Sequence, residues 1–382
     1  MSRRHLFMAN TPSIVLEAAG LARRQGGRAQ LVLSADFDLA PRLARLLERW
    51  RDNPFEAIHL LPGRQTEHER GARHDRRGLG GLLHRVRVKR DLRRQTLAML
   101  AALDADFRPD TVWIGNDRKV ETQYALHLAS ARTGTRAGNY MDDGLHTYLG
   151  RARVRPWARR KDWLVKRLTY GSWWFNTSQS GTTPWIATQW LAFPGEGVDR
   201  DPARARETLR PEWFQDRAFL RLAALASREF AVDRPGLRGC EAVLVLPHSN
   251  QLRANPALVD ALRDLVARVA ARGARVAVKY HPREREPDPA GLLDGGRALA
   301  LPGTVPMELL LPLLPAGATL AGEASTALLA AHWLRPDLRV LDLGVGRGEF
   351  LARSRSLLHA HGVPSLGGDP AALAALGAGA GP

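Results

Sequence analysis

Residues 111–144 read TVWIGNDRKVETQYALHLASARTGTRAGNYMDDG. Thr111-Val112-Trp113-Ile114-Gly115 has the composition of a short buried strand, and Glu121 to Ala131 carries apolar side chains at helical spacing. Arg136 to Met141 is a second strand, and its end delivers Asp142-Asp143-Gly144. Strand, helix and strand in that order is the unit of a parallel sheet covered by helices.

The same alternation runs outward in both directions. Toward the N terminus lie a strand at His5 to Met8, a turn and cap at Asn10-Thr11-Pro12-Ser13, and a helical pattern through Ile14, Leu16, Leu21 and Ala22. A strand at Gln30 to Leu33, a helix at Ala40 to Trp50 and a strand at Ala57 to Leu61 follow. Beyond a Pro- and Gly-punctuated stretch the pattern resumes with strands at Glu241 to Leu246, Arg275 to Tyr280, Ala298 to Leu301, Ala318 to Ala321 and Leu338 to Leu343. Helices are expected at Pro256 to Ala271, Pro306 to Leu314 and Ser325 to Leu334. The pattern predicts an α/β protein of two doubly wound, Rossmann-like domains at 1–195 and 240–366, joined by a connection at 196–239 and ending in a flexible Ala- and Gly-rich tail at 367–382.

A chain of 382 residues with 45% hydrophobic side chains can fill two such cores. The one cysteine, Cys240, excludes an internal disulfide and a cysteine-rich metal site. No apolar run approaches the roughly 20 residues of a membrane span, and the expected location is cytoplasmic. A net charge of +17 calls for an anionic partner: nucleic acid, acidic polysaccharide or phospholipid headgroups.

Two segments concentrate that charge. Gly63 to Arg94 carries Arg64, Arg70, Arg73, Arg76, Arg77, Arg85, Arg87, Lys89, Arg90, Arg93 and Arg94, either an anion-binding loop or a solvated loop entering a helix. Arg151 to Trp190 interleaves Arg151, Arg153, Arg155, Arg159, Arg160, Lys161, Lys166 and Arg167 with six of the ten tryptophans. That mixture suits an anionic lipid surface, a sugar-stacking groove or single-stranded nucleic acid; a basic hairpin packing its aromatics inward would look the same.

Candidate chemistry falls at strand ends, where open α/β sheets hold their ligands. Asp142 and Asp143 are adjacent acids that cannot both ionise cheaply when partly buried, so one should titrate high enough to act as a general base near neutrality. A plain Asp-Asp-Gly surface turn is the competing reading. Asn116-Asp117 closes the preceding strand. His281 ends its strand between Lys279 and Arg283, with Pro282 holding the backbone extended, a cationic cluster suited to a phosphate. Ser325-Thr326 opens a helix with two hydroxyls and free amides, an anion site or an ordinary cap. Pro306-Met307-Glu308 starts another helix with a carboxylate in its first turn.

Taken in order, Asp142-Asp143-Gly144, His281-Pro282, Pro306-Met307-Glu308 and Ser325-Thr326 resemble the motif set of the bacterial sialyltransferases, nearest the capsule polysialyltransferase-like group. The first acid is aspartate where that group usually has glutamate, and the hydroxyl pair ends in threonine. The resemblance implies a GT-B-type arrangement, with the acceptor-side and nucleotide-sugar domains facing a cleft. It also implies inverting, metal- and cofactor-free transfer of sialic acid or a related nonulosonic acid from a CMP-activated donor. Under it Asp142 is the base, Asp143, Gly144 and Asn116 position the acceptor, His281 serves the leaving phosphate, and Lys279, Pro282, Glu308, Ser325 and Thr326 bind the donor. Its expected partners are a glycan acceptor, anionic in this basic protein, and an anionic inner membrane face or capsule export complex, with no specific nucleic acid. Kdo or glycerophosphate polymer transferases share a similar strand-end histidine and hydroxyl-led helix, and a basic nucleic-acid-binding protein is the reading from charge alone.

Overall fold

Apolar runs become strands in the order the sequence sets out. The computed structural model describes residues 2–37, 39–63, 66, 79–150, 156–177, 179–196, 201–369 and 371–373. The first unit, Met1–Phe214, runs β1 (Arg4–Ala9), α1 (Pro12–Gln25), β2 (Arg28–Ser34), α2 (Ala40–Glu48), β3 (Ala57–Leu61), α3 (Leu79–Phe107), β4 (Thr111–Ile114), α4 (Val120–Thr133), β5 (Gly138–Met141), α5 (Leu145–Leu149), α6 (Pro156–Tyr170), β6 (Ile186–Leu191) and β7 (Ala205–Thr208). Its sheet is parallel, in the order β3-β2-β1-β4-β5-β6-β7.

The second unit, Gln215–Pro382, runs α7 (Arg217–Glu229), α8 (Arg234–Arg238), β8 (Cys240–Val245), α9 (Ser249–Arg253), α10 (Pro256–Ala271), β9 (Arg275–Lys279), β10 (Ala298–Leu301), α11 (Met307–Leu310), β11 (Thr319–Gly322), α12 (Thr326–Leu334), β12 (Arg339–Asp342) and α13 (Glu349–Ala360). Its sheet is also parallel, ordered β10-β9-β8-β11-β12.

Strands covered on both faces need unbroken apolar runs rather than alternation. Leu31, Val32 and Leu33 show it, each at most 1% exposed. The first core packs Leu6, Met8, Ile114, Leu126, Tyr140 and Ile186; the second packs Leu244, Leu262, Val278 and Leu341. Each fully buried leucine or valine contributes about 1.5–3 kcal/mol of transfer free energy.

Several expectations change. Arg85, Arg87, Lys89, Arg90, Arg93 and Arg94 lie on α3 and not in a loop, because Leu92, Thr96 and Leu100 bury one side of that long helix. Arg64, Arg70, Arg73, Arg76 and Arg77, and likewise Arg151, Arg153 and Arg155, lie outside the described residues. The basic, aromatic stretch is a helix, α6, followed by a strand, not a hairpin. Within 196–239, β7 pairs with β6 and belongs to the first sheet, whereas α7 and α8 belong to the second unit. The helix expected to reach Leu314 stops at Leu310 and tightens into a 3-10 turn at Leu311–Leu313 around Pro312. The tail holds to the fold as far as Leu373, which is 1% exposed in the second core, and residues 374–382 lie outside those described. Among the described residues no helix is long and apolar enough to cross a membrane.

Candidate active site

The chain turns as soon as β5 ends. Asp142 accepts the Gly144 amide on Oδ1 at 2.9 Å, closing an Asx turn, and Gly144 sits at φ 64°, ψ −139°, a backbone that side chains rarely tolerate. The other oxygen, Oδ2, accepts from the Tyr148 hydroxyl and from the Ala192 amide at 2.9 Å. Tyr148 accepts in turn from the Phe193 amide at 3.0 Å. Asp142, 3% exposed, thereby ties α5 and the end of β6 to the end of β5.

Asp143 is placed differently. It is half-buried, its amide donates to Thr147 Oγ1 at 2.8 Å, and no described residue hydrogen-bonds its carboxylate. Burial pushes Asp142 up to about 6 against the hydrogen bonds it accepts. Burial likewise lifts Asp143 to about 7, reinforced by the charges of Asp142 and Asp117 and opposed by Arg118 and Lys119. The run is not a plain surface turn: Asp142 is buried and clamped by three donors, and Asp143 beside it is half-buried.

The end of β4 completes this half. Asn116 Oδ1 accepts the Arg118 amide at 3.0 Å and its Nε at 3.4 Å, so it orients the guanidinium that acts on Asp143. Asp117 is wholly buried and accepts the Thr182 and Thr183 amides at 2.8 and 3.0 Å. Beside them a cavity of about 250 Å³ is lined by Lys89, Arg93, Arg118, Lys119, Lys166, Tyr170 and Trp174, with Asp36 and Glu121 among the cations. The Arg93 guanidinium lies 4.6 Å from the Tyr170 ring centre and Lys166 Nζ 5.4 Å from that of Trp174.

In the second unit the strand ends carry the remaining motif residues. His281 is half-buried, and its Nδ1 accepts the Arg283 amide at 3.1 Å, which leaves the ring proton on Nε2 in the neutral form. Burial, then Arg283, His248 and Lys279, lower its pKa, so near neutrality it is a hydrogen-bond donor more than a cation. Pro282 is exposed just beyond it. Lys279 is 4% exposed and donates to the Gly303 carbonyl at 2.7 Å, which commits one of its protons to the fold. Burial brings its pKa down to about 8, with Glu308 on α11 opposing the shift. Burial raises Glu308 in turn, and Lys279 opposes that. Ser325 is the N-cap of α12, yet its hydroxyl makes no capping bond and Oγ is buried without a partner. Thr326, the first residue of that nine-residue helix, is half-buried.

No family model matches this chain, and no curated protein matches it. Solved structures do. UDP-GlcNAc 2-epimerase from Methanocaldococcus jannaschii superposes with a TM-score of 0.55 at 10% identity, over 98% of this chain and 91% of that one. The α/β-galactoside α-2,3-sialyltransferase from Photobacterium phosphoreum gives 0.52 at 9% identity, over 95% and 98%. The GT-B domain of the Photobacterium damselae sialyltransferase gives 0.47 at 10% identity, over 95% and 99%. The fold is of the GT-B type. An epimerase and a sialyltransferase share it at TM-scores above 0.5, so at these identities the likeness gives architecture and leaves the chemistry to the site.

In each sheet of this GT-B fold the strand order reverses beside the first strand of the unit, between β1 and β4 and between β8 and β11. Open α/β sheets hold their ligands at such points. His248 follows β8 there, with its ring centre 5.9 Å from that of His281. Sequence reasoning passed over it, although the signal was present: a strong strand running into Pro247-His248, like the strand before His281-Pro282.

Proposed function

We propose that this protein is an inverting glycosyltransferase that moves sialic acid or a related nonulosonic acid from a CMP-activated donor to a glycan acceptor, without a metal in the reaction. The observation that carries the reading is the Ser325 hydroxyl, buried, unpartnered and set at the N terminus of α12, where amide donors and the helix dipole favour a phosphate. His281 adds an Nε2 proton and Thr326 a second hydroxyl, both suited to the charge that develops on departing CMP. Glu308 is assigned to the nucleoside.

On the acceptor side the unengaged carboxylate is that of Asp143, and we assign the base to it instead of Asp142. The acceptor hydroxyl gives its proton to Asp143, its oxygen bonds to the anomeric carbon, and the bond from that carbon to the CMP phosphate breaks with its electrons leaving on phosphate. Asp142 holds the turn that aims Asp143.

Incubation with CMP-sialic acid and a panel of sialylated and neutral glycans should release CMP and yield a sialylated product. Turnover of CMP-Kdo, CDP-glycerol or UDP-GlcNAc with CMP-sialic acid untouched would sink the donor assignment. Binding of RNA or DNA tighter than polysialic acid, at matched salt, would restore the nucleic-acid reading.

The cationic cavity, lined by the same Arg118 and Lys119 whose charges act on Asp143, favours an acceptor that carries carboxylates or phosphates. Lys89→Glu with Lys166→Glu is expected to raise KM for an anionic acceptor by about tenfold or more, the equivalent of roughly 1.4 kcal/mol, with donor KM unchanged. Equal KM values for both substrates before and after the change would remove the cavity from acceptor binding.

A further inference from the structure

We infer that His248 is a second imidazole ligand of the donor's phosphate, standing between His281 and Ser325; the identity of the phosphate as part of a CMP donor rests on the transferase reading. The sheet register makes the placement. Lys279 of β9 pairs with Val245 of β8, and Val245 pairs with Gly322 of β11, so these residues form one row across the sheet. His281, His248 and Ser325 each follow that row within three residues on three neighbouring strands. β8 is the middle strand of the three and borders the reversal in strand order.

The ring chemistry agrees with the placement. Nδ1 of His248 accepts the Asn250 amide at 3.3 Å, as Nδ1 of His281 accepts Arg283, so in both neutral rings the proton sits on Nε2. No described residue pairs with either Nε2. Glu284 fixes the two loops relative to each other: its Oε2 accepts the Ser249 amide at 2.8 Å and lies 3.9 Å from His248 Nδ1, while Oε1 accepts the Arg285 and Glu286 amides. Capping the short α9 needs only Nδ1 of His248. The second nitrogen, 5.9 Å ring to ring from His281, is the part that capping leaves over. Two N–H donors spaced this way, with a serine hydroxyl on the next strand, match the several oxygens of one phosphate.

The test separates the two nitrogens. His248→Asn keeps an acceptor for the Asn250 amide and removes the distal donor, whereas His248→Gln supplies an amide donor near the lost one. Calorimetric titration of the full chain with CMP, cytidine and inorganic phosphate should show CMP and phosphate binding about tenfold weaker in His248→Asn. Cytidine binding and the melting temperature should be unchanged, and His248→Gln should recover part of the loss. Unchanged CMP and phosphate affinity in His248→Asn overturns the inference, as does an equal loss for cytidine or a wild-type chain that binds neither CMP nor phosphate. Wild-type binding of phosphate but not CMP, still lost in His248→Asn, supports the histidine site and overturns the CMP-donor reading instead.

Discussion

Asp143→Asn is expected to lower transfer by about 10²–10⁴-fold, the usual contribution of a positioned general base, with no loss of melting temperature and a rise above pH 7, where the wild-type carboxylate is ionised in a half-buried place. The substitution keeps size and removes only the ability to take a proton at a carboxylate that no described residue hydrogen-bonds. Asp142→Ala should instead lose stability. It leaves the Tyr148 hydroxyl and the Ala192 and Gly144 amides without their acceptor, at about 1–3 kcal/mol for each buried group left unpaired. The pH signature has a definite sign. Both carboxyls titrate higher in the fold than free, so their contribution to stability is full below about pH 4 and is lost as pH rises through 6 to 7, while the base form, and with it activity, grows over that same window. The two acids are close enough to titrate as a pair, and the activity limb belongs to both. Full transfer by Asp143→Asn alongside an inactive, stably folded Asp142→Asn would return the base to Asp142.

His281→Ala should cost about 10²–10³-fold in turnover, the range seen when a single preorganised donor to a developing negative charge is removed. Because its Nδ1 bond to the Arg283 amide is local and the ring is half-buried, circular dichroism should be unchanged. The loss should appear equally in transfer to glycan and in slow hydrolysis of the donor, since both release the same phosphate. A variant defective in transfer but normal in hydrolysis would place His281 on the acceptor, and a fully active one would take it out of the reaction.

The sheets were legible because doubly covered parallel strands announce themselves as apolar runs, Leu31-Val32-Leu33 and Val276-Ala277-Val278 among them. The first half of the helix Leu79–Phe107 was not, because its arginines mask the buried positions Leu92 and Thr96. Pro312 cut short a helix that apolar spacing alone would have continued. At the site, residue types were readable and roles were not. Nothing in Asp142-Asp143 says which acid is clamped; that depends on Tyr148 and Ala192, brought in by α5 and the end of β6. His248 was hidden for a related reason, since its relation to His281 exists only once β8 and β9 pair.

Every strand of the first sheet comes from residues before Gln215 and every strand of the second from residues after Phe214. Among the described residues neither sheet borrows a strand from the other. A genetic crossover between those two codons would therefore sever no β-ladder, and the part of the gene encoding the Asp143 half could be exchanged while the part encoding the histidines was inherited whole. Under the proposed transferase reading, glycan choice and activated-sugar choice would then be free to change on separate schedules in a lineage that diversifies by recombination.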